Sequence, residues 1–373
     1  MRRRTLLGLL TGAAATLTAA RAGHELPIYP SFYPHEIEIR TFDPGRAADA
    51  LRSGKIQAYL GKGLELPSAS PENVRGIETL GSIILAQANP TRILDDASAC
   101  AAVRAVAQEL ARDDGFVLHP YPVTPYHGDY LHHADLAAAA AARFAQIVAP
   151  AAPPTIRASG SLARRHPDWA PRDDEWDVEV IEADAGEAMA STEFSVNGRM
   201  GPPWLKTGWF NAERILADNA EEGARRERAD ALFSRLTTAD FTGLTEQINL
   251  ERELVSLLTA RCRKAVVGYT LKREYVNVEF SAGIENIGYD AIAGLASPMF
   301  IRTVKLKDFP WNGWLALGID GKPTSAWNPV AGLTDPFGRM LGFAVTDSAL
   351  MSAPYDAGWM LNRISDLPSS GGR

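Results

Sequence analysis

Polar and apolar residues alternate through Glu36-Ile37-Glu38-Ile39-Arg40-Thr41-Phe42, the two-residue period of a half-buried strand. Asp43-Pro44-Gly45 follows as a turn, with Asp43 placed to cap a short helix from Arg46 to Ser53 that Gly54 ends. Ile56-Gln57-Ala58-Tyr59-Leu60 is a second strand, stopped by Gly61. Strand, helix and strand in quick succession form a compact βαβ unit and predict a partly parallel sheet. The apolar run at 81–86 predicts a buried strand. The pattern over 97–112 predicts a helix, with Asp95, Asp96 or Ser98 available as its cap. An alanine-rich helix then runs to about 147.

The stretch Ala149-Pro150-Ala151-Ala152-Pro153-Pro154 is a stiff extended connector with nothing to bury. It divides the mature chain into an N-terminal α/β lobe (23–148) and a C-terminal α/β lobe (155–365). Strands are expected at 155–158, 176–181, 265–269, 275–280 and 314–317. Helices are expected at 211–236 and 245–262, the second striped by Leu250, Leu254, Leu257 and Leu258. The fold class this predicts is α/β: two lobes with mixed, mostly parallel sheets and flanking helices. Residues 366–373 read as a flexible tail.

The N-terminus carries a different signal. Arg2-Arg3-Arg4 precedes a modestly apolar stretch, which closes on the small-x-small pattern Ala20-Arg21-Ala22. Arg3-Arg4-Thr5-Leu6-Leu7 resembles the twin-arginine export signal. That resemblance implies a protein that folds, and loads any cofactor, before it crosses into the periplasm. The apolar stretch is too short to span a bilayer, and no later segment is long enough. Removing residues 1–22 takes away four arginines and no acid, which moves the formal charge from −7 to −11. A field of that sign repels nucleic acid.

Cys100 and Cys262 are the two cysteines, which excludes a cysteine-rich scaffold and a four-cysteine metal site. Both fall at apolar positions of helical patterns. An oxidising compartment permits a bridge between them, but spacing alone does not join them.

Candidate chemistry concentrates between His119 and Asp135, where four of the seven histidines lie beside two aspartates. A helix starting near Asp129 sets Asp129 and His133 on one face, and a loop His127 can fold back to complete a transition-metal site. His119, Tyr126 and His127 are alternatively ligand contacts. A second candidate is aromatic: Trp204, Lys206 and Trp209 in a Gly/Pro-controlled loop, with Trp311 in a similar one. Rigid loops of Trp and Lys suit an organic anion or a planar ligand. The carboxylates between Asn277 and Asp290 read as a solvated turn. Serine-hydrolase, phosphate-loop, dinucleotide, zinc-protease and haem-attachment motifs are absent from the sequence.

The segment from Glu36 to Gly61, with Arg52-Ser53-Gly54-Lys55 leading into the strand Ile56-Gln57-Ala58-Tyr59-Leu60, resembles periplasmic solute-binding proteins. The resemblance implies capture of a small organic or anionic ligand in an inter-lobe cleft, and delivery to a membrane transporter. Two other readings stay open: a metal-dependent periplasmic enzyme or redox-partner subunit using His127, Asp129 and His133, and a non-catalytic accessory protein of a periplasmic complex.

Overall fold

The computed structural model describes residues 34–64, 66, 72–170, 175–189, 201–219, 223–279, 282–308, 313–324, 332–333, 335–346 and 349–362. The segment read as an export signal, Trp311 and the segment read as a C-terminal tail lie outside the described residues. The first elements are β1 (Glu36–Thr41), α1 (Pro44–Arg52), β2 (Ala58–Tyr59), β3 (Val74–Ala88), α2 (Asp96–Leu110), β4 (Phe116–Leu118) and α3 (Tyr130–Gln146). Next come β5 (Ile156–Ala158), α4 (Gly160–Arg165), β6 (Val178–Asp184), α5 (Ala185–Met189), α6 (Gly208–Leu216), α7 (Ala224–Thr237) and α8 (Leu244–Leu258). The last are β7 (Lys264–Asn277), β8 (Ile284–Asn286), α9 (Pro298–Thr303), β9 (Lys305–Leu306), β10 (Trp314–Ile319), α10 (Pro336–Val345), β11 (Leu350–Ser352) and β12 (Trp359–Leu361).

One eight-stranded sheet organises these elements in the order β1-β10-β2-β7-β3-β6-β5, with β4 also paired to β7. The sheet is mixed and flanked by helices, as expected of an α/β chain. Its parallel share is smaller than expected. β1 and β2 each run parallel to β10, and β5 to β6; the other four pairings are antiparallel. The reason is the long antiparallel ribbon of β3 and β7, of 15 and 14 residues. The sequence shows β7 as two short strands, whereas it is one. β1 and β2 are parallel, as their βαβ pattern predicts, but β10 lies between them.

Helix ends follow local chemistry. The Asp43 carboxylate accepts from the Arg46 amide at 3.0 Å, and Asp95 from the Ser98 amide at 2.8 Å. The helix expected over 211–236 is broken into α6 and α7. Gly223, at φ 108°, makes a backbone turn ahead of α7 that other residues rarely adopt. α8 stops at Leu258, short of the expected 262, and the chain turns so that Cys262 bonds to Cys100 with their Cα atoms 4.9 Å apart. Cys262 therefore leaves its predicted helix and becomes half of a bridge.

Side chains of successive strand residues enter different cores. Ile83 and Leu85 pack with Trp209, Phe210, Leu232 and Leu254 from α6, α7 and α8. Ile84 and Ala86 pack with Val103, Val106 and Leu110 of α2, and with Leu162 of α4. Phe144 and Ile156, on either side of 149–154, share this second core. At the other end of the ribbon, β2, β10 and α9 enclose Phe300, Leu315 and Leu317. Each fully buried aliphatic or aromatic side chain here contributes about 1.5–3 kcal/mol. Among the described residues, no helix is long and apolar enough to cross a membrane.

Candidate functional site

Midway along the ribbon, the register of β3 against β7 slips between Leu80 and Ile83. Gly81 permits this: a Cβ there would stand 2.9 Å from Thr270 Oγ1 and 3.1 Å from the Lys272 amide. The Ser82 amide donates to Thr270 Oγ1 at 3.1 Å instead of continuing the ladder. Such a bulge bends a strand pair. Beside the bend lies a cleft of about 1040 Å³, whose lining includes the cations Lys62, Arg164, Arg165 and Arg339 and the carboxylates Asp114, Asp184 and Glu187.

Two ion pairs form part of this lining. At the mouth, Lys62 Nζ meets Asp184 at 2.9 Å. Partial desolvation opposes the Lys62 charge, but the Asp184 hydrogen bond and further carboxylates hold its pKa above the ordinary lysine value. Deeper, Lys206 Nζ meets Asp290 at 2.5 Å and donates to the Ala353 carbonyl. Asp290 also accepts from the Ile292 and Ala293 amides, each at 2.9 Å. Asp290 is thus buried, in place of the solvated turn expected. Burial pulls the Arg339 guanidinium below its usual pKa, against the attraction of Asp335. Arg164 and Arg165 stand exposed on the last turn of α4 and form no ion pair with a described residue.

A second constellation lies away from the cleft, where α3, α6 and α8 meet. Asp129 does not cap its own helix. Its carboxylate accepts from the amides of Gly208 (2.7 Å) and Trp209 (3.1 Å), and so caps α6. Burial pushes its pKa up to about 7, against the pull of those amides. His133, one turn along α3, is fully buried; its Nδ1 is 2.9 Å from the Tyr121 hydroxyl, and burial lowers its pKa to about 4. Glu251 of α8 is also fully buried, held by His132 Nδ1 at 2.8 Å and by the Gln247 amide at 2.8 Å. Asp135 faces outward, in a paired bond to Arg252 at 2.6 and 2.7 Å.

Of the residues the sequence singles out for ligand contact, Lys206 lines the cleft and the other described ones do not. Trp209, 1% exposed, sits in the helical core against Phe210 and Phe233, with Trp204 packed beside it. The apolar area of these rings, ahead of a helix, went to core packing. His119 directs Nε2 to the Val123 carbonyl at 3.0 Å, and Tyr126 packs edge-on to Tyr269. His127 is also displaced from the metal set expected for it. Its Nδ1 accepts from the Thr124 amide at 2.9 Å, its Nε2 lies 3.1 Å from Asn211, and burial takes its pKa down to about 3. The side chain that joins Asp129 and His133 is Glu251. The sequence reading missed Lys62, Arg164, Arg165 and Asp184. The signal available was a set of glycine turns beside charges: Gly63, Gly115 and Gly160, all at positive φ, border the cleft.

No family model matches the chain, and no curated protein matches it. Solved structures with partial likeness include HbpA2 from Haemophilus parasuis, at 12% identity and TM-score 0.42 over 71% of this chain and 56% of that one. DppA from Helicobacter pylori, an ABC transporter-associated periplasmic binding protein in complex with the peptide STSA, aligns at 11% identity and TM-score 0.39 over 71% and 55%. NikZ from Campylobacter jejuni, in complex with Ni(L-His), aligns at 13% and 0.36 over 66% and 56%. The aligned part thus spans little more than half the length of each.

Proposed function

We propose that this chain is an exported, periplasmic solute-binding protein that captures a small organic ligand bearing both charges and passes it to a membrane transporter. The observation that carries this reading is the cleft of about 1040 Å³ at the ribbon's bulge, whose lining mixes cations with carboxylates. Its volume is at the top of the range of about 300–1,000 Å³ usual for small-molecule sites, which suits a ligand larger than one amino acid. Arg164 and Arg165 on one wall offer donors to a carboxylate. Asp184 and Glu187 offer acceptors to an ammonium group. The bond between Cys100 and Cys262 supports an oxidising compartment, in keeping with the export signal.

The test is direct. Mature protein from the periplasm is examined by native mass spectrometry for a retained solute, then by thermal shift against short peptides and other zwitterions. A ligand is expected to raise the melting midpoint. The double variant Arg164→Ala/Arg165→Ala should bind it about tenfold or more weakly, with unchanged stability in its absence. Folded wild-type protein that retains no solute and responds to none of the panel would sink the proposal.

A further inference from the structure

Asp129, His133 and Glu251 are each held by neighbouring groups and converge on one another in the core. Their ligand atoms lie within 4.8 Å of one another, and all three residues are buried. His133 Nε2 makes no hydrogen bond and has no access to solvent. It lies 3.8 Å from Asp129 Oδ2, too far for a hydrogen bond. The other ring nitrogen is held by Tyr121 at 2.9 Å. Either ring nitrogen can carry the proton; with it on Nδ1, donated to the Tyr121 oxygen, the Nε2 lone pair is free in the space shared with the Asp129 and Glu251 carboxyl groups.

In that tautomer a buried electron pair has no hydrogen-bond donor to accept from. A divalent cation resolves it. Two carboxylates balance its charge, and an imidazole supplies the third donor. We propose that Asp129 Oδ2, His133 Nε2 and a Glu251 carboxylate oxygen form a binding site for a divalent transition-metal ion of the zinc type, which ties α3, α6 and α8 together.

Each donor already has an outer partner of the kind that orients metal ligands: Tyr121 for His133, His132 and Gln247 for Glu251, and the Gly208 and Trp209 amides for Asp129. Zinc–ligand distances of about 2.0–2.2 Å put tetrahedral donors about 3.4 Å apart, so the site needs to contract by only a few tenths of an ångström to about 1.4 Å. The cleft's lining includes none of the three, so the ion braces the fold and is not part of solute capture. It does so close to the cleft wall, because Asp129 anchors the start of α6 immediately after the turn that carries Lys206.

The experiment uses mature wild-type protein without a polyhistidine tag. After dialysis against zinc, one ion per chain is expected by elemental analysis, and Co²⁺ in its place should give a visible absorption band that Zn²⁺ abolishes. Glu251→Gln and Asp129→Asn should each weaken binding about a hundredfold or more. His35→Ala, in the exposed residue before β1, should leave it intact. Long-range ¹H–¹⁵N spectra of the wild type give a second readout that does not depend on the variants folding. They should show a buried histidine in the Nδ1–H form whose Nε2 signal moves on adding zinc. A folded wild type that takes up no zinc and keeps its histidine spectrum overturns the assignment, as does full affinity in both carboxylate variants.

Discussion

Lys206 and Lys62 both pair with an aspartate in the cleft lining, but in different surroundings. Lys206 is 3% exposed, whereas the Lys62 side chain is 72% exposed. Removing one member of a buried pair leaves a stranded charge, at a cost of about 3–5 kcal/mol. An exposed pair contributes about 0–1 kcal/mol. Urea titration should therefore find Lys206→Met destabilised by about 3–5 kcal/mol and Lys62→Met by at most about 1 kcal/mol. Equal losses would contradict the burial argument. At this scale the sequence is informative about residue type and poor about destination. Asp129 stands four residues before His133 at a helix start, as the sequence suggests, yet the helix its carboxylate caps begins 79 residues later. Glu251 sits in an ordinary leucine-striped helix, and nothing local marks it as buried.

Elements were more legible than their neighbours. The cap at Asp43 and the start of α2 follow from side chains within a few residues, so sequence suffices for them. The pairing of β10 between β1 and β2, and the slip at Gly81, depend on segments far apart in the chain. α8 offers a test confined to one helix end. Glu246 accepts from the Thr242 hydroxyl (2.7 Å) and amide (2.8 Å), and pairs with Arg235. These contacts, the Thr242 bonds first, bring its pKa from 4.5 down to about 2. The folded state thus holds the proton less tightly than the unfolded chain. The stabilisation is complete above 4.5 and fades as pH falls toward about 2. Glu246→Gln should melt below wild type at neutral pH, and the two curves should converge near the acid limit. A gap that persists there would disprove the linkage.

For the whole molecule, the sheet passes through strands from both ends of the chain, and the bond between Cys100 and Cys262 closes a loop of 162 residues between α2 and the end of α8. The chain-entropy estimate for a loop of that length is about 5 kcal/mol, and the loss of such bonds usually costs about 2–5 kcal/mol. Cys100→Ser/Cys262→Ser should lose stability in that range by urea denaturation, and wild type in reductant should match it. A midpoint indifferent to reductant would show that the loop is held by other means. The α/β class was legible in the strand and helix periods along the chain. The joining of the two thiols was beyond the sequence, because it requires α8 to end early and the chain to turn back.

That bond has a consequence for biogenesis. With two cysteines in the sequence, a single intramolecular pairing exists, so oxidation within the chain cannot connect the wrong partners and leaves nothing to reshuffle. Maturation of this chain calls for an electron acceptor and not for a disulfide isomerase.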